Sequence, residues 1–176
     1  MTADHSLEDD KLAIAAITPQ ANEDVDQLLS DFADALIQQG YRVRGLVQQR
    51  CSAESNCKFS LRDLSTGHIY PISQHLGSHS TACVVDTAAI ADACAVMRQI
   101  AETDADLAIF NRFSGLEAEG GGFAAEMLDL MAMGIPVLTI VQPRHLTIWR
   151  HFTGGLASEL PAQRDALDSW FQRHQA

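Results

Sequence analysis

Positive charge is scarce in this chain. Its 176 residues carry 12 Lys and Arg against 23 Asp and Glu, a formal net charge of −11. A surface of that sign disfavours nucleic acid and anionic membrane as general partners, while leaving room for a local basic pocket. An export signal is also lacking. Met1 to Asp10 holds Asp4, Glu8, Asp9 and Asp10, where a leader would be basic and then apolar. The first apolar stretch, Leu12 to Ile17, falls far short of the roughly 20 residues that span a bilayer. These absences point to a cytoplasmic protein with neither nucleic acid nor membrane as a partner. Its cysteines, at positions 51, 57, 83 and 94, are then expected to be mostly reduced thiols.

The familiar catalytic signatures are missing too. There is no G-x-S-x-G elbow and no H-E-x-x-H helix. The segment Thr18 to Asp26 contains neither glycine nor lysine. It therefore cannot be a Walker A loop, whose Gly-rich backbone and Lys grip phosphates. No internal repeat, low-complexity tract or inter-domain linker interrupts the chain.

What is present is a packed, alternating pattern, with 47% of the residues hydrophobic. Short apolar runs at Leu12–Ile17, Val43–Val47, Leu107–Phe110 and Pro136–Val141 read as strands buried on both faces. Helical periodicity fills the intervals, from about Glu23 to Gln39, from Asp86 to Glu102 and from Phe123 to Met133. Trp149, Phe152 and Leu156 suggest a short amphipathic element, and a last helix starts near Pro161. Lys58 to Leu64 and His68 to Ile72 flank Ser65-Thr66-Gly67 as a β-hairpin, and Ser73 to Thr81 reads as a polar loop. The expected fold is α/β, a mainly parallel sheet with helices on both faces and a small β-hairpin insertion or antiparallel edge. Residues 1–10 are expected to form a flexible tail and residues 11–176 a single α/β domain.

In such a sheet, the loops at the carboxyl ends of the strands converge on one edge. Those loops supply Thr18, Gln20 and Asn22; Gln48, Gln49 and Arg50; Asn111, Arg112, Glu117 and Glu119; and Gln142, Arg144 and His145. Gly120 to Gly122 follow, where backbone amides can approach an anion. The collection is rich in amide and guanidinium donors and suits a small polar or anionic ligand. Glu117 and Glu119 admit two readings, as oxygen ligands for Mg²⁺ or as carboxylates near a helix N-terminus. His75, His79 and Cys83 are spaced by four, but the Gly and Ser between them argue against a helix. Cys51 and Cys57 lack the tight spacing of a common zinc pair. The His residues are accordingly read as loop residues, with no metal site. The cofactor and the oligomeric state are not legible here, and a homo-oligomer stays open.

Three motifs, GLVQ at Gly45–Gln48, LRDLSTG at Leu61–Gly67 and NRFSGLEAEGGG at Asn111–Gly122, together with Gly154-Gly155-Leu156, carry a resemblance. From Leu12 to about Leu160 the chain resembles a bacterial family of unknown function often encoded beside molybdate-transport genes. More distantly it is similar to the small P-loop nucleoside-triphosphatases of the THEP class, with Asn111-Arg112 standing at their Walker B acidic pair and Glu117 at a later Glu. The resemblance implies a P-loop-like fold without its Walker A loop. The expected function is non-hydrolysing binding of a nucleotide or an oxyanion, linked to molybdate handling. An Mg²⁺-dependent nucleotide or phosphoester enzyme and an adaptor protein are the alternatives.

Overall fold

The computed structural model describes residues 12–54, 57–75 and 83–175; the expected N-terminal tail and His79 lie outside them. The chain opens with β1 (Ile14–Thr18), α1 (Val25–Gln38) and β2 (Val43–Arg50). Next come β3 (Phe59–Asp63), β4 (Ile69–Pro71), β5 (Ser73–His75), β6 (Cys83–Val85) and α2 (Thr87–Ile100). Then follow β7 (Leu107–Phe113), α3 (Gly115–Ala118), α4 (Ala124–Ala132) and β8 (Val137–Val141). The described chain ends with α5 (Leu146–Phe152), β9 (Ser158–Pro161) and α6 (Arg164–Arg173). No helix among the described residues is long and apolar enough to cross a membrane.

Seven strands form one sheet in the order β4-β3-β2-β7-β8-β1-β9. The five strands from β2 to β9 pair in parallel, while β3 and β4 extend the β2 side as an antiparallel edge. The four apolar runs expected to be parallel strands all lie in this sheet. Their side chains alternate between two cores, as the two-residue strand period requires. Ala15, Ile17, Val43, Leu107, Ile109, Leu138 and Ile140 pack beneath α1 and α6, where Phe32, Trp170 and Phe171 are buried. Ile14, Ala16, Leu46, Ala108, Phe110, Val137 and Val141 face α2, α4 and α5, where Met97, Met127 and Trp149 are buried.

The structure corrects the sequence reading in several places. Strand β9 was not expected; it is four residues long, ends at Pro161 and buries only Leu160, so its apolar signal is weak. Strand β7 runs on to Phe113, which puts Asn111 and Arg112 in the strand rather than in a loop. Part of the expected polar loop forms a second sheet, in which β5 pairs with β6 and His75 stands opposite Cys83. Cys51 and Cys57, expected as thiols, are joined in a disulfide. Their Cα atoms lie 5.9 Å apart across the β2–β3 connection, within the range a disulfide requires.

Gly45 governs how closely β2 approaches β7. It opposes Ile109 in the last backbone pair between the two strands. Its φ of +118° is one that side chains rarely adopt, and an added Cβ would overlap the Ile109 carbonyl. Gly45→Ala is expected to cost about 3 kcal/mol or more, from backbone strain and overpacking together. Urea unfolding of this variant against wild type measures it, and a loss below 1 kcal/mol would show that the strands can part without penalty.

Candidate functional site

The crossings of the chain fix where a ligand can sit. From β1 the chain passes through α1 to β2, beyond β8 and β7; from β8 it returns through α5 to β9, on the far side of β1. The direction of winding therefore reverses beside β1, and the crevice opens at the carboxyl ends of these strands.

The loop between β1 and α1 has the spacing of a phosphate loop and the opposite chemistry. Pro19 to Asp26 occupy the eight positions of a G-x-x-x-x-G-K-[ST] segment. Val25 stands at the lysine position and is buried in the core as the first residue of α1. Asn22, with φ +72°, makes the left-handed turn that Asn tolerates better than most residues. Two of the amides at this helix start already serve carboxylates of the same segment. The Glu23 carboxylate accepts from Gln20 N–H at 2.7 Å, and the Asp24 carboxylate caps α1 through Gln27 N–H at 3.2 Å. Asp26 adds a third carboxyl in the first turn. An incoming phosphate meets negative charge here, which opposes the attraction of the helix start.

Two adjoining cavities lie to the side of this loop. One, of 480 Å³, is lined by Asp24, Asp26, Gln27, Ser30, Gln48, Gln49, Arg50, Phe59 and Arg112. The other, of 300 Å³, is lined by Gln48, Phe59, Arg112, Phe113, Ser114, Ile140, Gln142, Arg144 and His145, and contains no carboxylate. Gln48, Phe59 and Arg112 belong to both, so they form the common wall of one groove.

A bulge builds that wall. Phe110 opposes Thr139 on β8 and Arg112 opposes Ile140, which leaves Asn111 as the extra residue. Backbone pairing of β7 with β2 has already ended at Ile109, and the Asn111 amide takes its place. Its Oδ1 accepts Gln48 N–H at 2.9 Å, and its Nδ2 donates to Gln48 Oε1 at 3.2 Å. Gln48 Nε2 in turn donates to Asp26 Oδ2 at 3.3 Å. The same oxygen accepts from Arg112 at 2.7 Å, while Asp26 Oδ1 is buried with no partner. Burial pushes the Asp26 carboxyl above its ordinary range, against the opposing pull of the Arg112 guanidinium.

The structure brings only some of the sequence-predicted residues to this groove. Gln48, Arg50, Arg112 and Arg144 line it. Asn111 is buried and bonded to Gln48. Glu117 is buried in a capping box: its carboxylate accepts from the Ser114 N–H and hydroxyl at 2.9 and 2.8 Å, and from Phe123 N–H at 3.2 Å. Gly122, at φ +54°, leaves room for that carboxylate. Glu119, Gly120 and Gly121 lie past α3, and Gln20 in the β1 loop; all four are exposed and outside the lining of both cavities. Among the described residues no His, Cys, Asp and Glu gather into a metal-holding group. Sequence reasoning missed Asp26 and Phe59. The first was findable as the eighth position of the loop pattern, whereas a single Phe in a hairpin strand carries no such signal.

The sheet order and the crevice beside β1 define an α/β protein with the fold of P-loop nucleoside triphosphatases. The solution structure of a human cancer-related nucleoside triphosphatase superposes with a TM-score of 0.65 at 13% identity, over 93% of this chain and 94% of that one. The crystal structure of THEP1 from the hyperthermophile Aquifex aeolicus gives a TM-score of 0.65 at 14% identity, over 91% and 95%. Residues 14–170 match the family described as protein of unknown function (DUF2478), and the chain belongs to that family. It is also 38% identical over 161 residues to the molybdenum import ATP-binding protein ModC 2 of Bradyrhizobium diazoefficiens. That match covers 90% of this chain but only 18% of the relative's length.

Because the lysine position is a buried Val and the segment carries Glu23, Asp24 and Asp26, purified protein is expected to hydrolyse ATP and GTP at background rates. A phosphate-release assay tests this, and turnover on the order of 1 s⁻¹, within the range of kinases, that co-purifies with the chain would contradict it.

Proposed function

We propose that the chain binds a small anion, an oxyanion or the phosphate groups of a nucleotide, in the groove at the carboxyl edge, and does not hydrolyse it. The observation that carries this reading is the distribution of paired and unpaired cations. Away from the groove, five of the seven described arginines are paired: Arg42 with Asp104 and Asp106, Arg62 with Asp34, Arg98 with Glu126, Arg150 with Glu159 and Arg164 with Asp168. Arg50, Lys58 and Arg144 have no ion pair to a described carboxylate. Arg50 and Arg144 line the groove, and Lys58 sits over the ring of Phe59 in its wall. Arg44 and Arg173 are the other described cations without such a pair, and neither lines it. Arg144 Nε donates to His145 Nε2 at 3.1 Å, a partner without negative charge; in a chain this acidic, guanidinium groups without a carboxylate partner around one concavity favour an anion there.

The ModC 2 relative supports a setting in molybdenum handling, and we place the chain in the cytoplasm, where an ATP-binding import component meets its nucleotide. Molybdate is then the first ligand to test. The sequence match extends over a small part of that relative, so this setting is inferred from a shared segment.

The test uses inorganic molybdate and low-salt calorimetry, because salt screens exposed charges. Arg144→Ala and Arg50→Ala are each expected to weaken binding by about 1.5–3 kcal/mol, the scale of a hydrogen bond to a charged group. Both side chains are exposed, so unfolding free energy should stay within about 0.5 kcal/mol of wild type. Unchanged affinity in both variants would remove the anion from this groove.

A further inference from the structure

Arg112 is central to the groove, yet it is not free. Its guanidinium lies 2.7 Å from Asp26 Oδ2, and that oxygen also accepts from Gln48. Asp26 Oδ1 is buried without any partner. A carboxylate held in this way has the chemistry of a bound anion: it occupies the donor of the site at the cost of one desolvated oxygen. We propose that Asp26 is an internal competitor for Arg112, and that the ligand is an oxyanion carrying two negative charges, which displaces it.

The selectivity follows from charge. A monoanion exchanging with the Asp26 carboxylate replaces one unit charge by another and gains little. A dianion at the same distance doubles the attraction to Arg112 and also draws on Arg144 in the carboxylate-free cavity. Once displaced, Asp26 keeps a buried oxygen, loses its cation and faces the bound dianion. Both changes, with the burial that persists, favour its protonated form. Binding is then linked to uptake of a proton, and affinity rises as pH falls. The charged groups that face Asp26 are Asp24 at the start of α1, Arg50 on β2 and Arg112 on β7. His145 lines the adjoining cavity and accepts from Arg144 Nε at 3.1 Å, so the share due to Asp26 is read as a difference between variants.

This inference rests on the anion-binding reading, and two measurements on Asp26→Asn separate their fates. The first needs no ligand: an arginine-selective dicarbonyl reagent is applied to wild type and variant, and modification of Arg112 is followed by peptide mass spectrometry. Arg112 is expected to react several-fold faster in the variant, and an unchanged rate overturns the competitor role whatever the protein binds. The second is calorimetry with molybdate, sulfate and nitrate. Asp26→Asn should bind molybdate about ten- to a hundredfold more tightly, and the preference for the dianions over nitrate should narrow. With sulfate, whose charge is constant across the range, wild-type affinity should rise between pH 7 and pH 5 more steeply than that of the variant. Molybdate affinity that is equal or weaker in Asp26→Asn, with wild type still binding, overturns the inference and leaves the anion site standing. Failure of both proteins to bind any of the three anions or ATP, titrated in the same way, overturns the anion-binding reading, and the Arg112 reaction rate still decides what Asp26 does.

Discussion

Strands β2 and β7 pair through their backbones as far as Gly45 and Ile109 and no further. Beyond that point β2 continues against β3, and β7 continues against β8. The gap between them would expose unpaired amides inside the sheet, a costly arrangement. The carboxamide of Asn111 closes it by offering Gln48 one acceptor and one donor, much as a peptide unit would. The bulge at Asn111 carries Arg112 into line with Ile140. Gln48, Arg112 and the half-buried Phe59 of β3 then become the shared wall of the groove. The site depends on this one side-chain bridge more than on any loop.

The fold is shared with solved nucleoside triphosphatases, but the electrostatic centre lies elsewhere. A phosphate loop concentrates free amides and a lysine at the start of the first helix. Here the same eight positions present Glu23, Asp24 and Asp26, and two of these carboxylates already satisfy loop amides. Positive charge gathers instead along the neighbouring strand ends, at Arg50, Arg112 and Arg144. The crevice that the crossing pattern creates is retained, with a different distribution of charge around it. Fold likeness and chemistry separate at this position.

Much of the framework was legible because its signal is apolar and periodic. The four buried parallel strands, the long helices and the hairpin around Gly67 follow from runs of Val, Ile, Leu and Phe and from turn residues. Strand β9 was not legible, since an edge strand with one buried side chain leaves little pattern. Asn111 and Arg112 were expected in a loop because their polarity ends the apolar run. They stay in the strand because partners far along the chain, Gln48 and Asp26, satisfy them. Glu117 is committed locally instead, to Ser114 at the start of α3 and to Phe123 just beyond it, which supports its helix-start reading over that of an Mg²⁺ ligand. Whether Asn111 and Arg112 face a ligand or another side chain depends on the distant pairings with Gln48 and Asp26, which spacing alone does not encode.

The account stands on where the anion sits. Tungstate is the heavy analogue of molybdate, and its metal dominates diffraction from a soaked crystal. The direct test is a crystal of the full chain soaked in tungstate at low salt, with the metal located by anomalous scattering. The account predicts a tungsten peak in the groove between Arg112 and Arg144, within hydrogen-bonding reach of both through its oxygens, and the Asp26 side chain moved off Arg112. A peak at the Pro19–Asp24 loop, or a groove left empty while the anion binds elsewhere, would contradict it.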